Sequence, residues 1–208
     1  MGLPGRAIGV ALACLALALP TLAQVIEFES GGLKFQALTR NGLTIMVAAL
    51  PAHVREYSIL QVAISNGSQV SWVVKPEDFT FYPSDGHAVA ATPARDVVSA
   101  LIEKASRGDV IRLVSAYETG IYGLTKFKST NGYESRRQNA LAEVSSAKIK
   151  AAAAASAIAF VSTKLQPGQS TDGAVFYANA GKPLGPGRIV VHAAGEDYEF
   201  ASEPASRN

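Results

Sequence analysis

Two strand-forming blocks of this chain, residues 57–91 and 163–200, are separated by a stretch that is helical in its spacing. Strands need partners to be stable, and the regular alternation of strand and helix that marks a parallel sheet is missing. The economical reading is one antiparallel β-sandwich interrupted by a helical segment: mainly β with an α insertion, in the α+β class. The expected divisions are residues 24–91 and 161–200 for the sandwich, 92–160 for the insertion and 201–208 for a flexible tail.

Residues 34–50 read as a hairpin, because Arg40-Asn41-Gly42 separates two apolar runs and Asn-Gly tolerates the positive backbone angles of a tight turn. Pro51 is expected to end the second of these strands. Leu60, Val62 and Ile64 then alternate with Gln61, Ala63 and Ser65, which places three branched side chains on one face of a half-buried strand. Asn66-Gly67-Ser68 turns the chain into a strand over residues 70–74, and Phe79 and Phe81 mark one face of the next. Trp72, Phe79 and Phe81 are therefore expected in the sandwich interior or at its rim. Ser84-Asp85-Gly86 is a further turn, and residues 87–91 return from it. In the second block, strand composition restarts over residues 160–164, Pro167-Gly168 turns, and residues 174–177, 188–193 and 198–200 are the remaining strands.

Thr92 followed by Pro93 reads as an N-cap and first helical residue, with Val97, Val98, Leu101, Ile102 and Ala105 at helical spacing and Gly108 closing the helix. A second helix is expected over residues 109–118, with Val110, Leu113, Val114 and Tyr117 on one face. Asn131 and Glu134 have capping-box spacing at the start of an alanine-rich helix that runs to about Phe160. Alanine has high helix propensity and little bulk, so this helix can pack closely against a neighbour. Glu143, Lys148 and Lys150 interrupt it, which argues against a membrane span. If residues 92–160 are an excursion from one sandwich, a short linker should replace them and leave a folded but less stable chain.

The N-terminus supplies Arg6, an apolar run over residues 7–19, Pro20, and small residues at Thr21 and Ala23. That order is a secretory signal peptide over residues 1–23, cleaved after Ala23 to leave Gln24 first. The run is shorter than the roughly 20 residues a bilayer span requires. The only cysteine, Cys14, lies in that run, so the mature chain would hold no thiol for disulfides, nucleophilic catalysis or metal. Of 19 basic residues only Arg6 would be lost with the leader, leaving 18 against 17 acidic ones. Nucleic-acid binding, which needs clustered excess positive charge, loses its support. Lys126, Lys128, Arg136 and Arg137 do cluster, and they read as a solvated face around a helix start.

No residue set makes a catalytic site. His53, His87 and His192 lack the short spacings of a zinc site, although three scattered ligands could still converge in space. Ser145-Ser146-Ala147-Lys148 contains the Ser-x-x-Lys spacing of penicillin-recognising enzymes without their other motifs. Asp85 and Asp172 stand beside glycines but lack the dense oxygen ligands of a calcium loop. Asn66-Gly67-Ser68 is formally a glycosylation acceptor. No cofactor and no metal is expected. The candidate interaction surface is Tyr117, Ile121, Tyr122 and Phe127, whose competing role is to pack the insertion onto the sandwich.

Asn66-Gly67, Asp78-Phe79-Thr80-Phe81, Asp85-Gly86 and the late turn from Leu165 through Gly173 with Phe176 together carry a resemblance. The pattern resembles bacterial extracellular immunoglobulin-like domains of unknown function related to a mycobacterial secreted immunoprotective antigen. That resemblance implies an immunoglobulin-like antiparallel β-sandwich, although the family pattern lacks a helical segment as long as residues 92–160. Together the readings point to a secreted or periplasmic, non-enzymatic domain with an envelope protein partner and no membrane span after leader cleavage. The alternative is an envelope metal-binding protein or hydrolase using His53, His87 and His192 with nearby carboxylates.

Overall fold

A computed structural model describes residues 24–123, 130 and 146–202, without some side chains in 116–123. Four strands come first: β1 (Ile26–Ser30), β2 (Leu33–Arg40), β3 (Leu43–Val54) and β4 (Tyr57–Asn66). Three short ones follow, β5 (Trp72–Val74), β6 (Phe79–Pro83) and β7 (Val89–Ala90). Then come helices α1 (Ala94–Lys104), α2 (Arg107–Gly123) and α3 (Ala147–Ile158). The chain returns to strands with β8 (Thr163–Leu165), β9 (Ser170–Ala178), β10 (Gly187–Ala193) and β11 (Glu196–Ser202). The last strand therefore takes in Ala201 and Ser202, which the sequence assigned to the tail; residues 203–208 lie outside the described residues.

The larger sheet has the order β1-β2-β3-β4-β9 and the smaller β11-β10-β6-β7, with every ladder antiparallel. The protein is thus mainly β, with helices. The sheets pack face to face: Leu38, Ile45, Leu60, Val62 and Ile64 of the larger meet Phe79, Phe81, Ile189, Val191, Tyr198 and Phe200 of the smaller in one buried cluster. Phe79 and Phe81 are interior residues, while Trp72 is half-buried at the rim, where its indole N–H donates to Ser68 Oγ at 3.0 Å. Asn66 fixes the crossing between sheets. Its fully buried side chain donates to the carbonyls of Val70 and Leu165 and accepts from the Ser68 N–H and hydroxyl.

The turn at Asn41-Gly42 forms with both residues at positive φ, +48° and +74°, as the Asn-Gly signal requires. Pro51 does not end β3. The register with β4 breaks between Ala49 and His53, so the proline sits in an irregular stretch where its missing N–H disrupts no regular ladder, and the strand continues to Val54.

β4 is not half-buried as its branched triplet implies. Both of its faces are covered, because the helices lie on the side of the larger sheet that faces away from the smaller one. Leu50, Val54, Tyr57, Ile59 and Phe176 form a second core there with Val97 and Leu101 of α1, Leu113 and Tyr117 of α2, and Ala151, Ala154, Ala155 and Ile158 of α3. Burying each large side chain contributes roughly 1.5–3 kcal/mol, so this layer is a major source of stability. The alanine face of α3 packs against α1, where small side chains permit close approach.

Helix ends depart from the sequence expectation. Pro93, not Thr92, occupies the N-cap of α1, and Thr92 instead donates its N–H to Phe176 O of β9 at 2.7 Å. Gly108 does not close α1, which stops at Lys104; it lies in the first turn of α2. Ser106 and Asp109 explain the break by satisfying each other's backbone amides: Ser106 N–H donates to Asp109 Oδ2 at 2.6 Å, and Asp109 N–H to Ser106 Oγ at 3.4 Å. α2 also runs further than the expected residue 118, to Gly123. The start expected for the alanine-rich helix at Asn131 lies outside the described residues.

Candidate binding cleft

The larger sheet has one strand more than the smaller, and β1 occupies its outer edge. Register with β2 sets Glu27 opposite Gln36, Phe28 opposite Phe35 and Glu29 opposite Lys34. Since side chains alternate between faces, Phe28 lies on the helix-side face with buried Phe35, and their rings stack with centroids 5.4 Å apart. Glu27 and Glu29 lie on the opposite face, beside Lys34 and Gln36.

Under this edge the sandwich opens into a cleft of about 290 Å³. Val47, Ala49 and Ile189 supply apolar lining, Ala201 and Ser202 of β11 form part of the wall, and Glu27, Glu29 and Lys34 bring charge to it. Gln36 spans the opening. Its Nε2 donates to the Ala201 carbonyl at 3.0 Å, while its Oε1 is buried and accepts no hydrogen bond from the described residues. A buried amide oxygen without a donor loses hydration with no compensation, so this side chain is held across the opening by its Nε2 bond alone. The cleft can thus hold an apolar body beside the charged groups of Glu27, Glu29 and Lys34; its lining contains no histidine or cysteine.

The residues singled out from sequence lie elsewhere. Tyr117 is 3% exposed and its hydroxyl donates to Asp172 Oδ2 at 2.6 Å, so it ties α2 to the larger sheet and presents no surface. Ile121 and Tyr122 belong to α2, with side chains outside the described set, and Phe127 lies outside the described residues. The basic residues Lys126, Lys128, Arg136 and Arg137 lie outside them too. His87 pairs with Asp85 in the turn after β6, and His192 of β10 pairs with Asp197 of β11. His53 belongs to β3 in the other sheet. No three His, Cys, Asp or Glu side chains among the described residues group as a metal site. Lys148 donates to the Glu103 carbonyl, and Ser145 of the Ser-x-x-Lys spacing is outside the description. Asn66 is wholly buried, so as it stands in the fold it is a structural residue and no glycan acceptor.

Two tyrosine hydroxyls of the core are shifted by their surroundings. Burial, with the Glu196 carboxylate beside it, pushes Tyr198 up to about 12; its hydroxyl donates to the carbonyls of Arg40 and Leu43 and pins the β2–β3 turn to β11. Burial alone raises Tyr177, whose oxygen meets no partner among the described residues. Both are built into the core and neither reaches the cleft.

No family model matches the chain, and neither a curated protein nor a solved structure matches it. Among the described residues no helix is long and apolar enough to cross a membrane.

Proposed function

We propose that the protein is a secreted or periplasmic, non-enzymatic binding domain that holds its partner at the cleft beneath β1. The observation that carries the proposal is the opening itself, about 290 Å³ beneath the overhanging edge strand, lined by Val47, Ala49 and Ile189, rimmed by Glu27, Glu29 and Lys34, and crossed by the Gln36–Ala201 hydrogen bond. Such a site orients a ligand through few polar groups and contacts it mainly through apolar surface. It contains no nucleophile–base pair of the kind acyl or phosphoryl transfer uses.

The immunoglobulin-like reading is retained as architecture, two antiparallel sheets packed face to face. Consecutive strands β1 to β4 lie in one sheet, whereas an immunoglobulin order moves to the second sheet after its second strand. Export rests on the leader-like order of residues 1–23, which are outside the described residues.

The test is photo-crosslinking in the producing cell, with a photoreactive residue at Ala49 in the cleft and a control at Glu199, an exposed position on β11. The expected result is processed protein beginning at Gln24 by mass spectrometry, with an adduct specific to position 49. Equal labelling from both positions, or chain retained in the cytoplasm with its leader intact, refutes the proposal.

A further inference from the structure

We infer that β1 accepts an added strand, supplied by an extended segment of another protein in which lysine or arginine alternates with apolar residues. This rests on the reading of the cleft as a binding site and specifies the chemistry of its partner.

The two edges of the larger sheet are finished differently. At β9, Thr92 N–H donates to Phe176 O at 2.7 Å and Phe160 N–H donates to Ala174 O at 2.8 Å, so the chain before and after the helices occupies that edge. Gly173 makes the second contact feasible, since a Cβ there would stand 2.6 Å from Phe160 Cα. At β1, by contrast, no strand pairs with the outer edge among the described residues. Unpaired strand edges are templates for further pairing.

The side chains of β1 say what would fit. Ile26 is 64% exposed and Phe28 37%, both on one face, while Glu27 and Glu29 are exposed on the other. Residues of an added strand share faces with the residues beside them, so alternate positions meet Ile26 and Phe28 and the intervening ones meet the carboxylates. A second copy of β1 does not satisfy this pattern. Antiparallel registers centred on residues 27–29 set glutamate beside glutamate, or glutamate beside Ile26 or Phe28, and like charges directly opposite are destabilising.

Lys34 stands opposite Glu29, whereas Glu27 stands opposite neutral Gln36, so Glu27 is the carboxylate best placed for a cation from outside. An added strand would lie one spacing of about 4.8 Å from β1, within reach of the exposed Glu27 carboxylate for a donor side chain. Lysine and arginine are the long donors, and their methylene stems suit apolar lining.

The test uses the full mature chain and a short capped peptide of alternating valine and lysine, with the glutamate-for-lysine peptide and n-butylamine as comparison probes. The expected result is binding of the lysine peptide alone, with hydrogen-exchange protection of β1 amides. Glu27→Lys combined with Glu29→Lys should weaken lysine-peptide binding by about tenfold or more and bring in binding of the glutamate peptide. Both positions are exposed, but Glu29→Lys sets a second cation opposite Lys34, so Glu27→Lys alone is the variant that should weaken lysine-peptide binding while its thermal melt matches that of the parent.

Equal binding of the two peptides, protection away from β1, n-butylamine binding as tightly as the peptide, or concentration-dependent pairing of β1 with a second copy each overturns the inference. If strand addition fails while the probe at position 49 still captures a molecule specifically, the cleft reading stands and only the partner chemistry falls.

Discussion

Deleting residues 92–160 and bridging the gap with a short flexible linker tests what the helices do. The geometry of the connection is favourable, since Thr92 leaves and Phe160 returns along the same edge of β9, at Phe176 and Ala174. Loop closure therefore costs little, and on that ground alone a folded sandwich would survive. Burial decides otherwise. Leu50, Val54, Tyr57, Ile59 and Phe176 are each at most 6% exposed and pack in the core shared with α1, α2 and α3. At roughly 1.5–3 kcal/mol for each such side chain, their exposure removes on the order of 10 kcal/mol, comparable to the entire stability of an ordinary domain. Phe160, which stacks edge-on against Phe79 at 5.7 Å in the core between the sheets, is lost as well. The deletion variant is expected not to fold cooperatively. The assay is urea denaturation followed by far-ultraviolet circular dichroism, with a dye that reports exposed apolar surface. A cooperative transition with β-type dichroism retained would refute the reasoning and restore the helices to a removable excursion.

Phe79→Ala should cost roughly 3–5 kcal/mol in chemical denaturation, because the ring is fully buried; a loss under about 1 kcal/mol would place it on a surface. Gly173→Ala should cost about 1–3 kcal/mol and deprotect the Phe160 amide in hydrogen exchange, since the added methyl meets backbone atoms that cannot rotate away; an unchanged melt and unchanged exchange would contradict the close approach. Asp109 is buried, which raises its carboxyl, but the bonds from Ser106 and the guanidinium groups of Arg55 and Arg112 outweigh this and hold it below the ordinary aspartate range. Its folded pKa being depressed, its contribution is full above the unfolded value of about 4 and is lost as pH falls through the folded value. Asp109→Asn should flatten that acid limb of a stability–pH curve, and a parallel curve for the variant would contradict the assignment.

The sequence was legible where local chemistry acts alone. Asn41-Gly42 turns as its positive φ demands, and the alternation through Leu60, Val62 and Ile64 identifies β4 and its inward face. The opposite face was also readable, since Ile59 and Ala63 are apolar at the alternate positions, but the branched triplet drew the reading to one side. β1 has no counterpart among the expected strands, although Gly31-Gly32 between two apolar-alternating runs is compatible with a two-residue hairpin turn. The cleft could not be seen because it is made by an overhang, one sheet being a strand wider than the other, and strand order is a tertiary property. Tyr117 shows the converse error. Its helical spacing with Leu113 signals a buried face, and its hydroxyl becomes a tether to Asp172 instead of a point of contact for a partner.

The placement of the helices bears on how recognition at β1 can vary. They cover one face of the larger sheet and the smaller sheet covers most of the other, so substitutions in β2, β3, β4 and β9 meet a core on one side or both. The edge at β9 is held by Thr92 and Phe160 and is equally constrained. Ile26, Glu27, Phe28 and Glu29 are the exception: all four are exposed, and only Phe28 makes a ring contact with the core, through Phe35. Surface substitutions away from special features usually change stability by less than about 0.5 kcal/mol. Exchanges at positions 26 and 27 should therefore alter what β1 can pair with while leaving the fold intact, whereas at Phe28, stacked on Phe35, and at Glu29, opposite Lys34, specificity and stability are coupled.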